Sequence, residues 1–168
     1  MKPMTLVVAL IVALAVIFIV AQRASAQNAT QIEHARDGAS CPRCNLFQAD
    51  FANLELKDRN FAGARLRQAD MSAAVMNHTT MAGADLRDVN AYGAVFTGVS
   101  FAGANMTNAS FVGTYLQGAN FRGANLSGAN FSGAEMDRAV GLTQSQLNQA
   151  CGDDSTTLPR GLRLRSCG

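Results

Sequence analysis

Histidine is almost missing from this 168-residue chain, and so is any surplus of charge. With only His34 and His78 present, the side chain most used for proton transfer and metal ligation stands at two isolated positions. Four cysteines occur, and after Cys44 the next is more than a hundred residues on, at Cys151. That spacing offers no zinc set, and no metal, cofactor or catalytic constellation is expected. Lysine and arginine number 14 against 12 aspartates and glutamates. A surplus of two is too small to recruit nucleic acid or an acidic membrane.

Charge is wholly absent from Thr5 to Ala21, a run that follows the single Lys2. Ala24, Ser25 and Ala26 then form a small-residue site of the signal-peptidase type, which predicts export with cleavage before Gln27. Residues 1–26 are assigned to a signal peptide, and the protein to the periplasm or the exterior, with no stable membrane insertion after cleavage. An uncleaved anchor is the alternative, because the run approaches the roughly 17-residue lower limit of a spanning helix. Without Lys2 and Arg23, basic and acidic residues balance.

What the remainder does contain is a period of five. Every fifth residue from Leu46 to Met136 is Leu, Met or Phe, with Ala91 the one exception in nineteen. Two places earlier the chain favours Ala, and one place earlier Asp or Asn. A helix excludes this pattern, since five residues advance it by about 500° and scatter the apolar positions around its surface. In a strand, an odd step sends alternate members to opposite faces. A chain that turns by a fixed angle every five residues and stacks its turns points all of these side chains at one axis.

The unit A-(D/N)-(L/F)-x-x resembles the motif of the pentapeptide-repeat proteins over about residues 44 to 140. That resemblance implies an all-β, right-handed four-sided β-helix solenoid with four pentapeptides per coil, about five coils and short helical caps. Residues twenty apart then stack, so that Phe61, Met81, Phe101 and Phe121 form one ladder, as the recurring FAGA, MAGA and FRGA suggest. The segments are assigned as 27–43, an N-terminal leader and cap carrying Cys-Pro-Arg-Cys; 44–140, the solenoid; and 141–168, a C-terminal cap and disulfide tail.

Function is sought where the repeat is broken. Val75, Val95 and Tyr115 replace Asp or Asn on one face, between Glu55 and Glu135, and are the candidate interface for an unknown protein partner or a second copy. Arg65, Arg67, Arg87, Asp85 and Asp88 gather on another face, as a mutually compensating cluster or an anion contact. Residues 71 to 99 depart most from the unit and predict a loosely packed coil at Ala91, which Ala91→Leu would fill.

Thr30-Gln31-Ile32-Glu33 and Thr143-Gln144-Ser145-Gln146 read as capping boxes, the first opening a helix that ends at Gly38, the second a helix to about Ala150. On a rod about 23 Å long, with one cysteine pair at each end, bridges join Cys41 to Cys44 and Cys151 to Cys167. These readings make a non-enzymatic protein that presents a rigid surface. A thiol-disulfide protein using Cys41 and Cys44 is the alternative. A DNA mimic that binds topoisomerase, the best-known role in the family, is disfavoured by eight acidic against eight basic residues in 41–140.

Overall fold

The structure, a computed structural model, describes residues 28–168. The expected signal segment and its cleavage site before Gln27 lie outside the described residues. Among the described residues, no helix is long and apolar enough to cross a membrane.

The repeat is built from turns. The N–H three places after a central residue donates back to the central carbonyl, as from Ala64 to Phe61 and from Ala124 to Phe121, both at 3.0 Å; at Leu56 the Thr79 hydroxyl takes the carbonyl instead. From Arg43 to Gly133 the third residue of the turn has positive φ, in unbroken steps of five. Positive φ at that place alone defines a type II turn, and glycine occupies ten of these positions at no steric cost. The preceding Asp or Asn completes the corner: Asp70 accepts from the Ser72 N–H at 2.9 Å and Asn130 from the Ser132 N–H at 2.9 Å. This is the Asx turn, and it explains the preference for those two residues.

Four such corners return the chain to itself. Parallel bridges join residues twenty apart in four columns. Column A runs Asn60, Thr80, Ser100, Asn120, Val140, and column B runs Asn45, Arg65, Asp85, Asn105, Asn125. Asp50, Asp70, Asn90, Ser110 and Asn130 make column C, and Glu55, Val75, Val95, Tyr115 and Glu135 column D. The central residues of all four columns are buried, together with the alanines two places before most of them. Threonine replaces two of those alanines and is satisfied in place: the Thr79 hydroxyl donates to the Leu56 carbonyl at 2.9 Å, that of Thr114 to the Phe111 carbonyl.

The register also extends one repeat earlier than the sequence reading placed it. Cys41 stands five before Leu46, its N–H donates to the Asn60 carbonyl at 2.8 Å, and Arg43 has the left-handed φ of a corner. Cys-Pro-Arg-Cys is thus the first corner, with proline at the turn position its fixed φ suits.

Ala91 is fully buried, and the expected looseness around it is revised by Phe96. That residue is the only aromatic in a ladder otherwise made of Leu56, Met76, Leu116 and Met136. Its ring lies 5.7 Å from that of Phe101 and 6.0 Å from that of Phe111. A small residue and a large one have exchanged columns within a single circuit. Ala91→Leu is accordingly expected to overpack the layer and lower stability by about 1–3 kcal/mol. Adding Phe96→Leu should recover most of the loss, a coupling that a double-mutant cycle in chemical denaturation measures.

The ends are closed by short elements. Helix α1, Ala29–Arg36, covers the first circuit: Gln31 Oε1 accepts from the Asn45 N–H at 2.8 Å, and Arg36 donates to the Asp50 carbonyl. Its cap is Asn28, whose side chain accepts from the Gln31 N–H, and not Thr30. Helix α2, Gln144–Leu147, has the capping box anticipated at Thr143 and Gln146 but ends at Asn148, short of Ala150. Gln146 Nε2 donates to the carbonyls of Phe121 and Ala124 at 2.9 Å, which seats the helix over the last circuit. The chain leaves the repeat at Gly141 (φ +74°), where a Cβ would come within 2.7 Å of the Arg122 nitrogen. Strand β1, Cys151–Gly152, then bridges Asn130 and pairs in parallel with β2, Arg165–Ser166.

Candidate functional site

Column D brings together the residues singled out in the sequence. Val75 bridges Glu55 and Val95, and Val95 bridges Tyr115, which bridges Glu135. A valine here cannot accept the N–H that Asp or Asn accepts elsewhere. At Val95 the deficit is met from the circuit below, where Asn77 Oδ1 accepts from the Thr97 N–H at 3.0 Å. Tyr115 is 48% exposed, and hydrogen bonding to Glu135 raises its phenol pKa.

Two further residues belong to this surface, and sequence reasoning passed over them. Tyr92, 62% exposed, precedes Gly93 at the corner between columns C and D, and Val112 stands twenty residues on, before Gly113. They sit one place after a centre, where the repeat unit has no preferred residue type against which a departure would show. The twenty-residue count applied to that position finds them. Tyr92, Val112, Val75, Val95 and Tyr115 thus flank one apolar corner, and no basic residue stands in column C or column D.

In the arginine cluster at column B, Arg67 and Arg87 are paired internally. Arg87 donates to both Asp85 carboxylate oxygens at 2.7 Å, and Arg67 Nε donates to Asp88 at 3.2 Å. The bond from Arg87 is the main reason the Asp85 carboxyl lies below its ordinary pKa. Compensation within the cluster is the reading this geometry favours.

Cys41 and Cys44 are bonded across the first corner with Cα atoms 5.5 Å apart, and Cys151 and Cys167 across the tail at 4.9 Å. Cys41 is 4% exposed. His78 lies 3.7 Å from Asp58 on an exposed corner, and His34 in the last turn of α1. Among the described residues, no group of three or more His, Cys, Asp or Glu is placed to hold a metal.

At the tail, Asp153 ties the cap to the repeat. It accepts from the Ser155 hydroxyl at 2.7 Å, from the Gly133 N–H at 2.9 Å and from the Ser155 N–H at 3.0 Å, with the Thr156 hydroxyl 3.1 Å away. These bonds, that of the Ser155 hydroxyl foremost, hold its pKa at about 2 against an ordinary 3.8. A carboxylate held low stabilises the folded state above its unfolded pKa and ceases to do so as pH falls through the folded one. Asp153→Asn should therefore lower the melting temperature at pH 5, with the difference from wild type shrinking as the pH is taken down towards 2.

A family model described as pentapeptide repeats matches in 8 copies, over residues 44–81, 55–90, 81–118, 104–140 and 114–151. Among solved structures, a pentapeptide repeat protein from the cyanobacterium Cyanothece 51142 is 24% identical, with 78% of this chain and 97% of that chain covered and a TM-score of 0.46. Another from Nostoc PCC 7120 is 24% identical, with 82% and 88% covered and a TM-score of 0.34. A trypsin-treated form of QnrB1, a plasmid-mediated fluoroquinolone resistance protein, is 22% identical, with 73% and 75% covered and a TM-score of 0.36. No curated protein matches the chain. With one corner every five residues, one bridge every twenty, and the family model matched from residue 44 to residue 151, this chain belongs to the pentapeptide-repeat family.

Proposed function

We propose that this chain is an exported, non-enzymatic protein whose right-handed four-sided β-helix of about five coils presents a rigid surface for binding a protein partner or another copy of itself. The observation that carries this reading is the apolar column Val75–Val95–Tyr115, set where the repeat favours Asp or Asn. A stacked backbone holds these side chains in fixed positions, so binding need not order a mobile surface first, which lowers its entropic cost. Export is supported by the uncharged run Thr5–Ala21 and the Ala24-Ser25-Ala26 site.

The thiol-disulfide alternative has less behind it. A reactive Cys-x-x-Cys places its first sulfur at a helix N-terminus, where the thiolate is stabilised. Here both cysteines belong to the first corner of the repeat, with Cys41 buried.

Val95→Asp restores the residue type the repeat prefers, so it should fold like wild type. In a crosslinking pull-down from envelope extract, it is expected to lose the proteins that the wild type retains. An unchanged bound set would contradict the assignment of function to this column.

A further inference from the structure

The apolar corner and the corner half a circuit away match one another in relief and in charge. At the first, Tyr92 and Val112 stand beside column D, which carries Tyr115, with Glu55 below and Glu135 above. At the second, between columns A and B, Ala62-Gly63, Ala82-Gly83 and Ala102-Gly103 follow one another. Nothing lies within 4 Å of where a Cβ on Gly83 or Gly103 would be, so those two steps of the corner are bare, while the Arg43 side chain lies against Gly63, its Cγ 3.3 Å from where a Cβ there would be. Exposed arginines bracket it: Arg43 in the circuit below Gly63, and Arg122 in the circuit above Ala102.

Height along the stack decides the pairing. Glu55 and Arg43 occupy the same circuit, as do Tyr92 and Ala82, then Val112 and Ala102, then Glu135 and Arg122. We infer that these corners are two halves of one self-association surface, in which the apolar corner of one copy seats on the alanine–glycine corner of a second copy lying parallel and in register. The Glu135 end then meets Arg122, the Glu55 end brings its own-chain partner Lys57 to the contact, and the projecting rings meet the backbone of Gly83 and Gly103. Pairing the apolar corner with itself about a twofold axis would instead set Glu55 against Glu135. Because the two surfaces differ, the contact does not close at two copies and extends as a row of parallel rods. This rests on reading the chain as a surface-presenting protein.

The test is molar mass by light scattering on the protein as recovered from expressing cells, with thermal melting to confirm that each variant folds. Wild type should gain mass in whole multiples as its concentration rises. Val95→Asp and Ala82→Glu, one in each half of the contact, should each stay monomeric. Mixed together they should form a pair of twice the monomer mass and go no further, since each supplies the half the other lacks. A wild type that is monomeric throughout, an Ala82→Glu variant that assembles like wild type, or a mixture that fails to pair would each overturn the inference. A monomeric wild type that loses a captured envelope protein on Val95→Asp would remove the second copy as occupant while leaving the binding function in place.

Discussion

Phe101→Ala is expected to lower stability by about 3–5 kcal/mol, the range for truncating a fully buried aromatic side chain. Phe101 is stacked on Phe121 at 5.4 Å and meets Phe96 and Phe111 edge-on, both at 5.7 Å. Its loss removes contacts to the circuits above and below as well as its own. In a stack where each layer touches only its neighbours, a gap in the middle uncouples the two halves. Chemical denaturation should therefore show a lower midpoint, and Tyr92→Ala, which truncates an exposed ring, should leave it nearly unchanged. Equal effects at the two positions would mean that Phe101 does not sit in a continuous core.

Cys151→Ser combined with Cys167→Ser carries the second largest expected effect, a loss of about 3 kcal/mol, the figure for a loop of roughly fifteen residues. The bridge spans a sequence separation of 16 and fastens the tail that lies over Phe131 and Met136. Without it, the tail should become sensitive to proteolysis before the repeat does, as a terminus freed from its attachment does. Cys41→Ser with Cys44→Ser should cost less, because their separation is only 3 and the corner they span is already hydrogen-bonded to the next circuit. Denaturation midpoints of the two double variants make the comparison, and a larger loss at the N-terminal pair would contradict it.

Much of this structure was legible because the period sits in the side chains themselves. Large apolar residues every fifth place give the corners, and Phe61, Met81, Phe101 and Phe121, in the same column, give the circuit. Val75, Val95 and Tyr115 stack as the count of twenty requires. The helix starts were harder to read. Thr30 and Glu33 fit a capping box on paper, yet Asn28 precedes them with a side chain equally able to accept the first free N–H.

Other features were hidden because they depend on position around the circuit. Equal numbers of acidic and basic residues in 41–140 conceal that columns C and D carry acids and no bases. Ala91 looked like a deficit as long as its own ladder was counted, since Phe96 compensates from the neighbouring one. Backbone strain is unevenly placed as well: of the nine left-handed corner residues that are not glycine, only Asn108 lies beyond Asp88. Corners of that kind cost more than glycine ones, and they fall in the half fastened by α1 and the first disulfide.

The surface of this protein is made by residues twenty apart. Nuclear Overhauser contacts of the Val95 methyl groups test it most directly. Contacts are expected to the Val75 methyl groups on one side and to the Tyr115 ring on the other, as for bridged neighbours about 4.8 Å apart. Contacts confined to residues within four or five places of Val95, with none at twenty, would contradict it.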